Sequence, residues 1–271
     1  MTDHRYFHTA AALRAAWHIA RQVGRRAGRR MGWRAAAPLL AVAIASVPVW
    51  PARAETLPLP ANLIGLSTEA GSQLLIDSSA RQAYWPLSIQ FVTQKNQAYC
   101  GVASMVMVLN ALDVPAPPAP GIAPFATFTQ DNVLGPGTEP ILPQAVLMGH
   151  GMTLDQFGAI VRTYGVRVDV HHADDGSLDE FRMLASQALA ARGSHVVVNY
   201  LRRAIGQEQG GHISPLAAFD AKSDRFLILD VSRYKYPPVW VTAADLHAAM
   251  NTVDSDNDGK RRGFVVIRGG R

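Results

Sequence analysis

Cysteine is almost missing from this chain: Cys100 is alone among 271 residues. That scarcity excludes an internal disulfide framework of the kind that staples small secreted domains. Four roles remain for the thiol: packing, metal ligation, a disulfide to a second chain, or nucleophilic chemistry. Long apolar runs are missing too. Residues 35–50, "AAAPLLAVAIASVPVW", fall short of the roughly 18 apolar residues of a membrane span, and they contain Pro38 and Pro48. Acidic residues are nearly absent from the first 54 positions, where Asp3 stands against nine arginines. Internal repeats and low-complexity tracts are lacking throughout.

The basic opening, the short apolar run and the small residues Ala52 and Ala54 in "PARAE" have the pattern of a secretory signal peptide over residues 1–54. Cleavage after Ala54 leaves a chain that begins at Glu55 and is periplasmic or secreted, with no stable membrane insertion. Met31 is a second candidate start, and an uncleaved N-terminal anchor is the competing reading. The high pI belongs to this leader. Beyond it stand 17 of the 26 basic and 20 of the 21 acidic residues, so the basic footprint of a nucleic-acid partner is absent. About 217 residues suffice for one ordinary domain or two lobes sharing a core.

Residues 55–84 are turn-rich and read as an N-terminal arm. "IQFVTQ" (89–94) reads as a short strand, and "YCGVASMVMVLNAL" as a buried helix starting near Cys100. The prolines of "DVPAPPAP" end that helix and open a connector over 113–143. Residues 153–165 and 177–193 carry N-cap and stop signals of two further helices. Short apolar or alternating runs at 166–173, 195–201, 212–221, 225–232, 239–242 and 263–269 read as strands, with a short helix over 242–253. The fold class is α+β: a helical lobe (85–193), then an antiparallel β lobe (194–271), with a cleft between them.

A thiol becomes nucleophilic as thiolate, and a helix N-terminus favours that form through its unpaired N–H groups and positive dipole end. Cys100 sits where the first helical turn begins. A base must come from elsewhere in the fold. His150, His171, His172, His195, His212 and His247 are available, and His212 has the strongest context, after two glycines and at the entrance to an apolar strand. Asp230 ends a strand one hairpin further on, where the two hairpin ends lie side by side and a carboxylate can orient the ring. Gln94, six residues before Cys100, is a candidate oxyanion donor.

Four stretches in order, "NQAYCGVASMVMVLNAL", "GGHISPLAAFD", "LILDVSRYKYPPVWV" and "AMNTVDSDNDGKRRGFVVI", resemble the phytochelatin synthase family, a papain-like group of cysteine enzymes turned to glutathione. The resemblance spans about residues 85 to 268 and matches the short bacterial form, without a cysteine-rich C-terminal extension. It implies a papain-like fold with Cys100 as nucleophile, His212 as base and acid, Asp230 as orienting carboxylate and Gln94 in the oxyanion hole. It implies cleavage of the Cys–Gly bond of glutathione through a thioester, the acyl group passing to water or to a second glutathione. Asp254 is then expected at the γ-glutamyl amino group, Arg262 or Arg261 at its carboxylate, and Gly211 beside the substrate backbone. The insert "DSDND" leaves the choice of arginine open. No cofactor is required on this reading, although heavy-metal thiolates such as cadmium or zinc glutathione would favour the synthase reaction. A homodimer is left open.

Competing readings attach to the same residues. Cys100 is an inert core thiol in most proteins that have one cysteine. A papain-like peptidase would share the triad without needing Asp254 and Arg262. A non-catalytic metal- or thiol-binding protein would use Cys100 and His212 as ligands. His171 and His172 with Asp174 and Asp175 read equally as a polar strand end, so no metal site is expected there. "DSDNDG" opens like a calcium loop, but Val265 at its twelfth position cannot supply the bidentate acid.

Overall fold

A computed structural model describes residues 56–270. The leader reading lies outside the described residues. Among the described residues, seven antiparallel strands form one sheet in the order β1-β6-β5-β4-β3-β7-β2. The strands are β1 (Ile64–Gly65), β2 (Arg167–His172), β3 (Ser194–Leu201), β4 (Gly211–Asp220), β5 (Arg225–Ile228), β6 (Val239–Thr242) and β7 (Gly263–Arg268). The helices are α1 (Glu69–Asp77), α2 (Tyr84–Ile89), α3 (Cys100–Ala111), α4 (Gln144–His150), α5 (Leu154–Arg162), α6 (Leu178–Ala190) and α7 (Ala243–Met250). Among the described residues, no helix is long and apolar enough to cross a membrane.

Helices cover both faces of the sheet. Gly158 of α5 and Gly101 of α3 press against Val170 and Ile213 on one face. Phe181 of α6 meets Phe264 and Phe226 on the other, with α7 beside it. The middle strands are therefore apolar on both sides. Val196, Val197 and Val198 of β3 are fully buried, and each such side chain stabilises the fold by roughly 1.5–3 kcal/mol.

The helix α3 is apolar all round, and residues 100 to 109 are all buried, as a helix enclosed on every side requires. It ends at Leu112, before Asp113 at φ 51° and Pro115. Its second residue must be small: a Cβ on Gly101 would stand 2.8 Å from the Met152 sulfur. That close approach fixes where the helix N-terminus, and hence Cys100, lies.

The structure bears out several local readings. Thr153 and Gln156 form the reciprocal capping box of α5, and Ser177 and Thr242 accept backbone N–H bonds at the starts of α6 and α7. It differs at five places. Residues 90–94 form no strand; α2 ends just before them, started by a sequence that puts Pro86 in its first turn, where proline is tolerated. Residues 55–84 hold α1, capped by Thr68, and the edge strand β1. The connector is followed directly by α4, for which no cap signal exists in sequence. β2, inside the expected helical half, pairs with β7, so the sheet draws strands from both halves. Finally, β5 stops at Ile228: its register with β4 shifts between Leu216 and Ala218, Leu229 keeps one backbone bond to the Pro215 carbonyl, and Asp230 lies past the strand. The overall class is α+β.

Candidate active site

The starts of α3 and β4 and the residues just past β5 converge. Cys100 begins α3, whose N-cap residue Tyr99 offers no side-chain cap and whose first turn carries no acid. The dipole end is therefore left for the thiol. His212 is the second residue of β4 and lies beside Cys100, with which it lines one cavity. Its Nε2 lies 2.9 Å from Asp230 Oδ1 and 2.8 Å from Ser214 Oγ, which leaves Nδ1 to face the sulfur. All three side chains are nearly inaccessible to water.

Arg202, from the 3-10 turn Arg202–Ile205, grips Asp230 with two bonds of 2.7 and 2.8 Å. The Ser232 N–H adds a third donor at 2.8 Å. The carboxylate is thus a fixed anion between an arginine and an imidazole. The Arg202 guanidinium also donates to Gln207 at 2.5 Å and lies over the Tyr236 ring. Tyr200 stands edge-on to the His212 ring at 5.7 Å.

These contacts set the ionisations. Burial pushes the Cys100 thiol up, but the His212 hydrogen bond and charge, with the backbone N–H groups of Ile213 and Gly101, bring it below its ordinary value. Burial pushes His212 down, and the Asp230 carboxylate lifts it above the usual histidine value in spite of Arg202. Burial opposes ionisation of Asp230, yet His212 and Arg202 hold it well below the usual carboxylate range. Both shifts favour thiolate beside imidazolium, a pair that can attack a carbonyl carbon and then protonate a leaving amine.

Beside the thiol opens a cavity of about 500 Å³. Gly211, Asn199, Asp254 and Arg262 line its inner wall, with His150 and Asp256, 3.6 Å apart, on its rim. Arg262 Nη2 lies 3.2 Å from Asp254 Oδ1. Its Nη1 donates to Thr252 Oγ1 at 3.2 Å, while its Nε has no partner among the described residues. Gly211 permits this placement, since a Cβ there would come within 3.3 Å of Arg262 Nε. Arg261 does not line the cavity: its carbonyl accepts from His172 Nδ1 at 2.6 Å and its side chain turns toward the Asn251 carbonyl. Between the two arginines that the sequence left open, Arg262 is the one at the cavity.

Gln94 is buried, its backbone N–H bonded to the Val231 carbonyl and its Oε1 accepting from Ser232 Oγ at 2.6 Å. Its Nε2 donates to the Asn96 carbonyl and the Tyr234 hydroxyl. A substrate oxyanion would have to displace one of these acceptors. His172 meets Asp155 and His171 stacks on Phe264. Among the described residues, no three His, Cys, Asp or Glu side chains gather in a metal-binding group.

Sequence reasoning missed Arg202, Ser214, Ser232 and Asn199. "YLRRAI" holds two adjacent arginines, and only the turn decides that Arg202 is buried while Arg203 is exposed.

The site is that of a protein with an activated, buried thiol beside a charged pocket. A family model described as phytochelatin synthase matches residues 54–264. The chain belongs to the phytochelatin synthase family. It is 33% identical over 207 residues to glutathione gamma-glutamylcysteinyltransferase 1 of Lotus japonicus, covering 75% of this chain and 40% of that protein. It is 31% identical over 192 residues to glutathione gamma-glutamylcysteinyltransferase 1 of Arabidopsis thaliana, covering 71% and 38%. Glutathione gamma-glutamylcysteinyltransferase of Schizosaccharomyces pombe is 27% identical over 213 residues, covering 77% and 50%. The chain thus spans half or less of the length of these curated relatives.

Proposed function

We propose that this protein is a glutathione γ-glutamylcysteinyltransferase working through Cys100. The thiolate attacks the carbonyl carbon of the Cys–Gly bond of glutathione. The C–N bond breaks, glycine leaves with a proton from His212, and a γ-glutamylcysteinyl thioester remains on sulfur. Water, or an amino group of a second glutathione, then attacks the thioester, gives its proton to His212 and releases the Cys100 thiolate. Asp230, held by Arg202, keeps the ring oriented and its charge favoured. Gln94 and the N–H groups at the start of α3 receive the oxyanion.

One observation carries this reading: the buried Cys100–His212–Asp230 arrangement opens directly on a pocket bearing Asp254 and Arg262. An acid and a cation side by side suit a zwitterionic amino-acid end, with Asp254 for the amino group and the idle Arg262 Nε turned to a carboxylate. The names of the relatives point to the same substrate. No resident cofactor is needed for these steps; heavy-metal thiolates of glutathione would enter as acceptor substrates.

The papain-like arrangement belongs to the same proposal: lobes over 85–193 and 194–271 behind an arm at 55–84, with the reaction in the cleft. So do export, with cleavage after Ala54, and a homodimer. Incubation of the protein with glutathione, with and without cadmium, tests the chemistry. Glycine release, γ-Glu-Cys or longer peptides, and an acyl adduct on Cys100 by intact mass are expected. No glycine, or equal release by Cys100→Ala, would overturn it.

A further inference from the structure

A second cavity, of about 880 Å³, lies at the other end of the sheet. Ser194 starts β3 and Tyr200, beside His212, nearly ends it, so the two places are about 20 Å apart at the usual strand rise. Three side chains in one row define this cavity. Arg268 of β7 stands directly opposite Arg167 of β2 on one side and Ser194 of β3 on the other. Directly paired residues point to the same face of a sheet, and like charges paired in this way repel.

Asp169, two residues along β2, pairs with Arg268 and answers one of the two charges. Arg167 is exposed and has no ion-pair partner among the described residues, and Arg192 joins it from the turn before β3. Among the lining residues the one carboxylate is Asp113. Ser194 is 3% exposed, and its hydroxyl has no hydrogen-bond partner among the described residues. A buried hydroxyl without a partner is uncommon and calls for a ligand or water. Leu112 and Leu184 add apolar lining. The volume is that of a small-molecule site.

We infer that this groove binds a small organic anion, its phosphate or carboxylate held by Arg167, Arg192 and the Ser194 hydroxyl and its apolar body against Leu112 and Leu184. Guanidinium forks match either oxyanion in two-point contact. The row Arg167–Arg268–Ser194 is then a set of donors awaiting an acceptor rather than an unrelieved repulsion.

Isothermal titration of the full chain with phenyl phosphate, phenylacetate and benzyl alcohol tests this. Binding of at least one of the two anions and none of the alcohol is expected; whichever anion binds more tightly identifies the oxyanion. Arg167→Gln, on an exposed edge strand, should weaken binding about tenfold, and Ser194→Ala several-fold, the loss of one charge-assisted contact in each case. Cys100→Ala should bind unchanged, which separates this groove from the thiol site. The anion should raise the melting temperature of the wild type and leave that of Arg167→Gln nearly unmoved. No anion binding below about 10 mM, or equal affinity in Arg167→Gln and Ser194→Ala, overturns the inference.

Discussion

Two histidines start neighbouring strands of the same sheet, and both are buried. His195 lies near the start of β3 and His212 near the start of β4, at opposite ends of one antiparallel ladder. Burial alone pushes His195 down to about 4, and neither of its ring nitrogens has a partner among the described residues. His212 suffers the same burial, yet Asp230 and Cys100 lift it above the ordinary value. Desolvation disfavours the charged ring in both places. What differs is the company, and that decides which histidine can hold a proton for chemistry. The comparison can be broken from either end.

The largest effect is expected from removing the thiol. Cys100→Ala should lower glycine release by roughly three to six orders of magnitude, because nucleophile and base act as one unit. The wild-type thiolate should also react with iodoacetamide at pH 6, where an ordinary cysteine is nearly inert. In His212→Ala that rate should instead climb about tenfold per pH unit, as expected once the lowering partner is gone. A rate in the variant as flat as in the wild type would break the pairing.

Next comes the arginine behind the carboxylate. Arg202→Met removes one half of a buried ion pair and leaves Asp230 with less compensation. A loss of about 3–5 kcal/mol in unfolding free energy is expected by denaturant titration. Because Arg202 also opposes the charge on His212, the iodoacetamide profile should change far less than in His212→Ala. Unchanged stability would show that water reaches the pair.

His195 gives the opposite signature. Its folded value, about 4, lies below its unfolded value of 6.5. The native ring stays neutral while the unfolded ring takes a proton, so its contribution is complete above pH 6.5 and is lost as pH falls from 6.5 to 4. The total is about 3 kcal/mol. Asp230 and Asp155, both held low, lose their contributions only at more acidic pH. The gap between wild type and His195→Met, measured by urea unfolding across pH 4 to 7, isolates the effect: it should shift toward the variant as pH falls. A gap independent of pH would mean that His195 protonates in place.

These contrasts mark what the sequence could and could not carry. Cys100, His212 and Asp230 were legible because each sits at a punctuation point: a helix start, a glycine pair before a strand, the residues just past a strand. The capped helices were legible because Thr153, Ser177 and Thr242 act locally. Arg202 was not, because its burial depends on a tertiary turn and on Asp230, distant in sequence. The edge strand β1 and the placement of β2 were hidden for the same reason: pairing partners at Trp240 and Val265 are remote. In the sequence His195 is only one of six candidate imidazoles, since nothing local distinguishes a partnered ring from an abandoned one.

The smallest predicted effect sharpens the comparison most. Arg262 Nε is buried without a partner among the described residues, as the His195 ring is, but its residue lines the cavity beside the thiol rather than the core. If its vacancy belongs to a ligand, Arg262→Lys should keep the fold and the charge yet lose the planar fork. KM for glutathione should rise about tenfold, near 1.4 kcal/mol, with kcat changed little, because the contact is made equally in ground and transition states. The rate of iodoacetamide alkylation of Cys100 should not change, since Arg262 does not touch the thiol. A fall in kcat at constant KM would instead place Arg262 among the groups that act on the reacting bond. An unpartnered group in a core lowers stability; the same vacancy on a pocket wall is a prediction about what binds there.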